Sequence, residues 1–151
     1  MKMTALRNYR EQVEETLRME LADRERMAQV ALEGLRRLEA EADGDAVRYL
    51  TDAKAGLTAD EVVGRYAELD ALASAIRRTH EVVEEACLRR DQKLGEVLEA
   101  SREKKKVEIL DDRDALRVQR DLDRREHRAV DEVAGRRFLA ERRQHTEPGH
   151  K

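Results

Sequence analysis

A chain of 151 residues has the length of one globular domain, but 43% charged and 3% aromatic residues, with no Trp, one Phe and one Pro, exclude a conventional aromatic core. The apolar residues are mainly Ala, Leu and Val spread among Glu, Arg and Asp, the balance of long helices that bury one narrow stripe, and the net charge of −3 is too small for disorder driven by self-repulsion. The single Cys87 excludes an intramolecular disulfide and fits a reducing compartment. No apolar run nears the roughly 18 residues that span a bilayer, and Met1–Tyr9 has no signal-like stretch, so a cytoplasmic protein is expected.

The first element is a helix from about residue 4 to 55. Its apolar series runs Leu6, Tyr9, Val13, Leu17 and Leu21, then Ala28, Ala31, Leu35, Leu38 and Ala42. Steps of three and four place one residue per turn on one stripe; the consecutive fours between Tyr9 and Leu21 predict a local unwinding of a left-handed supercoil. Gly44 is a weak interruption, whereas Gly56 is a stop. Thr58 and Glu61 form a capping box, Leu57 and Val62 a hydrophobic staple, and a glycine followed at once by a capped helix predicts a hairpin.

The second helix is expected from about residue 58 to 143. Val62, Tyr66, Leu69, Ala73, Ile76, His80, Val83, Cys87, Leu94 and Val97 keep the alternation of four and three for about five heptads, with Arg90 interrupting. His80 then lies on the seam, either as a hydrogen-bonded position that fixes register or as the mark of a face another protein covers. Glu and Arg set four apart in helix-favouring order, among them Glu14–Arg18, Glu61–Arg65 and Glu85–Arg89, add roughly 0.2–0.5 kcal/mol each.

Beyond Ser101 the stripe thins to Ile109, Leu116, Leu122, Ala129 and Val133, and Lys104, Lys105 and Lys106 fill a full turn. At 1.5 Å per residue the first arm runs roughly 78 Å and the second roughly 130 Å, so the first is spent near residue 110 and the rest of the second has no partner in the chain. The predicted fold is therefore all-α, an antiparallel two-helix coiled-coil hairpin with unequal arms turning near Gly56. It forms one domain over residues 1–143, with a disordered tail over 144–151. Residues 1–101 carry 16 Lys+Arg against 22 Asp+Glu, a net of −6; residues 102–143 carry 14 against 11, a net of +3.

No constellation supports catalysis. The seven glycines form no phosphate loop, the four histidines are scattered, and Cys87 reads as a small seam hydrophobe. The tail histidines His145 and His150 are not a metal site, and no cofactor is expected. The basic run from Arg102 to Lys106 has Glu103 inside it and no interleaved aromatics to stack bases, so a protein-facing patch is favoured over nucleic acid. An interaction protein is the class indicated, and an enzyme is excluded most firmly.

Gly56-Leu57-Thr58-Ala59-Asp60-Glu61, followed by Tyr66, Leu69, Leu72, Ala73, Ile76 and His80, resembles the central region of the FliJ family of flagellar type III export proteins. Ser101-Arg102-Glu103-Lys104-Lys105 is similar to the family's basic motif. Asp131-Glu132-Val133-Ala134, followed by Arg136, Arg137, Phe138 and Leu139, is similar to its C-terminal Asp-Glu-x-Ala-x-Arg pattern. The resemblance implies a non-enzymatic antiparallel coiled coil like the rotor stalk of F-type ATPases. Its implied partners are the export ATPase hexamer, the cytoplasmic domain of the export gate and export chaperones, with the membrane reached only indirectly through the gate. It implies a gate-facing surface of Tyr49, Leu69, Ala73, Ile76 and His80. Tyr49 stands alone, with Asp45 a turn earlier, where the family usually carries two tyrosines, and Leu69 stands for a common aromatic. For the ATPase end the candidates are Arg102, Lys104, Lys105, Arg136 and Arg137, with Phe138 and Leu139 as apolar anchors. The alternative is a generic scaffold that self-associates through the second helix's C-terminal segment and has no ATPase partner.

Overall fold

The computed structural model describes residues 2–146. It contains α1, Lys2–Ala55, and α2, Ala59–Thr146, joined by a short turn. The all-α hairpin expected from the sequence is what forms. α1 starts about two residues before its predicted beginning and ends at Ala55 as expected, and α2 starts at Ala59 and runs three residues past its predicted end; of the predicted tail, the residues up to Thr146 belong to α2, and 147–151 lie outside the described residues.

Gly56 takes φ +106°, a value that L side chains rarely adopt, and its N–H donates to the carbonyls of Asp52 at 3.1 Å and Ala53 at 3.3 Å. The helix ends there because these bonds satisfy its last free carbonyls. Thr58 then starts α2: its Oγ1 accepts from the Glu61 N–H at 3.2 Å and its carbonyl from the Val62 N–H at 3.0 Å, while Leu57 and Val62 are half-buried. α1 passes through Gly44 unbroken.

The chain divides into two compact bodies, residues 8–104 and residues 1–7 with 105 onward. In the first, the arms are antiparallel: Asp52 pairs with Arg65, Glu39 approaches His80, and Glu20 pairs with Lys93. The buried and half-buried positions of α1 include Arg10, Glu14, Leu17, Leu21, Arg24, Ala28, Ala31, Leu35, Leu38, Ala42, Asp45, Tyr49 and Asp52, an unbroken alternation of four and three. In α2 they include Val62, Arg65, Leu69, Leu72, Ile76, Thr79, Val83, Ala86, Arg90, Lys93, Val97, Ala100 and Lys104.

Two features differ from the sequence reading. The predicted unwinding near Tyr9 is not needed, because the seam keeps step by running through Arg10 and Glu14, while Tyr9 is exposed. In α2 the stripe of Val62, Leu69, Ile76 and Val83 was read correctly. The second stripe lies one residue earlier than expected, at Arg65, Leu72, Thr79 and Ala86, which leaves Tyr66 and His80 on the flank. A step of three or of four after each stripe residue serves a 3.5-residue repeat equally well, and apolar content favoured the wrong one. Arg90 does not interrupt the seam; it is half-buried within it, its stem covering the stripe as long basic side chains do.

In the second body Arg7 of α1 pairs with Asp111 of α2 at 3.1 Å, Val107 is buried and Met3 is half-buried. Every residue from Ala115 to Thr146 is exposed. No helix among the described residues is long and apolar enough to cross a membrane.

Candidate protein-docking surfaces

The residues implicated by resemblance in gate docking separate into two sets. Tyr49, Leu69 and Ile76 are half-buried seam residues. The Tyr49 ring meets Tyr66 edge-on, with centroids 5.9 Å apart and planes at 74°, the geometry that aromatic quadrupoles prefer. These side chains hold the arms together and offer only their rims to a partner. Ala73 and His80 flank the seam, seven residues apart and in step with Tyr66 and Cys87, so the four share one side of α2. The His80 side chain is 53% exposed, with Nε2 3.7 Å from Glu39 Oε1. Thr79 takes the place in the seam expected of His80, and its hydroxyl donates to the Ala75 carbonyl at 2.8 Å, so this seam hydroxyl is satisfied within α2.

The basic candidates divide in the same way. Arg102 and Lys105 are exposed. Lys104 is half-buried, with Nζ 3.5 Å from Glu14 Oε1, and belongs to the packing of the arms. Arg136, Arg137, Phe138 and Leu139 are all exposed on α2. Ala129, Val130, Val133, Ala134 and Phe138 line a shallow apolar depression edged by Arg137 and Glu141. Phe138, the chain's single phenylalanine, is 62% exposed, and Leu139 beside it is also open to solvent.

Three features escaped the sequence reading. Glu14 is 7% exposed; its carboxylate accepts from Ser101 Oγ at 3.0 Å and contacts Arg18 at 3.0 Å and Lys104 at 3.5 Å. Burial alone would raise its pKa, but the Ser101 hydrogen bond and the positive charges of Arg18 and Lys104 outweigh that and hold it below the ordinary glutamate range. Lys93, also on the seam, is held above the usual lysine range by hydrogen bonding to Glu20 at 2.8 Å and Glu96 at 2.7 Å. Third, Met27, Val30 and Val82 form an exposed apolar patch in the middle of the 8–104 body. Among the described residues, no group of three or more His, Cys, Asp and Glu is placed to hold a metal ion.

Antiparallel helices sharing a narrow, partly charged seam define an α-helical coiled-coil hairpin, and the exposed apolar and basic side chains from Ala129 to Arg143 are of the kind that engage other proteins. The family model described as Flagellar FliJ protein matches residues 1–143, and the chain belongs to that family. It is a flagellar export-associated protein. No curated protein and no solved structure matches it.

Proposed function

We propose that this chain is a non-enzymatic coiled-coil stalk of the flagellar protein export apparatus, linking the export ATPase ring to the cytoplasmic domain of the export gate and interacting with export chaperones. On this reading it works in the cytoplasm and reaches the membrane only through the gate. The observation that carries the ATPase half is the exposed stretch from Ala115 to Thr146, a helical segment wet on every side. A single helix in water gains little from its own hydrogen bonds, so its order is best explained by a partner that covers Val130, Val133, Phe138 and Leu139. Arg136 and Arg137 supply the charge around those anchors. A stalk entering a ring needs such an end, and its net charge of +3 over residues 102–143 suits acidic ring surfaces.

The gate half rests on the flank of α2. Since Tyr49, Leu69 and Ile76 are largely used in holding the hairpin, the contact surface centres on Tyr66, Ala73 and His80, with Tyr49 supporting Tyr66 from beneath. The test is capture of the cognate export ATPase by the intact chain, by F138A/L139A and by H80A. Loss of ATPase capture in the first variant and its retention in H80A supports the assignment. Undiminished capture by F138A/L139A removes the C-terminal segment from the contact.

A further inference from the structure

The exposed patch of Met27, Val30 and Val82 is built from both arms and follows the helical repeat. In α1, Met27, Val30 and Gly34 are spaced by three and four, so they form one line along the helix. Met27 and Gly34 immediately precede the seam residues Ala28 and Leu35, and in α2 Ala75 and Val82 do the same before Ile76 and Val83. Residues so placed flank the seam, and in an antiparallel pair the matching flanks of the two helices share one side. A groove runs between the two lines, with the half-buried Ala31 and Ala86 along it. Met27, Val30 and Val82 are each more than half exposed, and a Cβ built at Gly34 meets nothing within 4 Å.

Tyr66, Ala73 and His80 each follow a seam residue instead of preceding one, so the groove opens on the other side of the hairpin from them. Its charge is also distinctive. Of the carboxylates that border it, Asp23 is paired with Arg26, and Glu85 with Arg89 at 2.6 Å. Arg24 borders it as well, and Arg37 and Arg78 continue the two lines toward the turn. Among the described residues these last three arginines engage no carboxylate. The groove is therefore positive, although acidic residues outnumber basic ones over residues 1–101 as a whole.

We propose that this groove is a docking site for an amphipathic helix of another protein. The apolar stripe of that helix covers Met27, Val30 and Val82, and its edges carry Asp or Glu against Arg24, Arg37 and Arg78. Residues 23–37 run about 21 Å at 1.5 Å per residue, so the occupant is a segment of about four turns, and a contact that small is of the transient kind. A second copy does not fit. The chain's own exposed apolar stretch, around Val130, Val133 and Phe138, is bordered by Arg136, Arg137, Arg142 and Arg143, which would set arginine against arginine. The site is separate from the surfaces assigned to the gate and the ATPase, and it does not depend on either partner.

The test uses the full chain and two fluorescent peptides stapled as helices, with the same leucine stripe, one edged by glutamates and the other by lysines. In anisotropy titrations the glutamate-edged peptide should bind about tenfold more tightly, the summed effect of several exposed charge pairs. V30E should weaken it by about tenfold or more. R37E/R78E should reverse the preference between the peptides, and H80A, on the other flank, should leave it unchanged. All these positions are exposed, so the variants should keep the wild-type helicity and thermal midpoint by circular dichroism. Failure of both peptides to bind, or equal binding of the two, overturns the proposal, as does a wild-type preference retained in R37E/R78E. Concentration-dependent dimerisation of the chain alone in sedimentation, abolished by V30E, would assign the face to a second copy and overturn it too.

Discussion

Gly56→Ala and Gly64→Ala form a matched pair whose effects on stability should have opposite sign. A Cβ built at either glycine meets nothing within 4 Å, so neither substitution introduces a clash and each reports backbone conformation alone. Gly56 sits at φ +106°, where an L side chain costs about 1–2 kcal/mol; this outweighs the few tenths to 1 kcal/mol gained by restricting the unfolded chain. Gly64 lies inside α2, where Ala is favoured over Gly by about 0.8–1 kcal/mol. The separation between the two variants should therefore be about 2 kcal/mol, a factor of roughly 30 in the folding equilibrium. Urea denaturation followed by far-ultraviolet circular dichroism measures it: the midpoint should fall for G56A and rise for G64A, with unchanged slopes. Shifts of the same sign, or a G56A midpoint at or above that of the wild type, would refute the claim that the left-handed glycine sets the turn.

Leu35→Ala, in the buried seam, should cost about 2–3 kcal/mol, while Val63→Ala, on an open face, should stay within about 0.5 kcal/mol; the same denaturation assay separates them. Thr58→Ala removes the hydroxyl that receives the Glu61 N–H and should cost about 1 kcal/mol, seen as a lower thermal midpoint. Because the folded-state pKa of Glu14 lies below its unfolded value, its ionised form contributes stability that is fully present above the ordinary glutamate range. That contribution is lost as pH falls through the depressed folded value. Wild type should therefore lose more stability on acidification than E14Q, and parallel pH profiles of unfolding midpoint for the two would contradict this.

The hairpin was legible because its turn is written in local chemistry. Gly56, Thr58, Glu61, Leu57 and Val62 each fix one feature of a helix stop or start, and none depends on distant residues. The inequality of the arms was also readable, since it needed only their lengths. What the sequence hid was which side of α2 faces inward. Reading apolar residues as buried put Tyr66 and His80 in the seam, although the register required Arg65 and Thr79 there, and both are satisfied polar groups: Arg65 by Asp52 and Thr79 by the Ala75 carbonyl. Glu14 and Arg10 were hidden for the same reason. Stepping back by fours and threes from Leu17 reaches both, but a search for apolar residues turns aside to Val13 and Tyr9. Of the candidate site, the C-terminal residues Arg136 to Leu139 lie exposed as a docking segment requires, whereas Tyr49, Leu69, Ile76 and Lys104 are shared with the packing of the arms.

Hydrogen–deuterium exchange across residues 115–146, in the free chain and with the cognate export ATPase hexamer added, tests the stalk assignment most directly. The segment has no partner to slow its opening in the free chain, so its amides should exchange rapidly, faster than those around Leu35 and Val83. On addition of the ATPase, protection should rise most between Ala129 and Arg143, around Phe138 and Leu139. Exchange that stays fast there under conditions where the ATPase is bound would contradict the account and move the contact elsewhere on the hairpin.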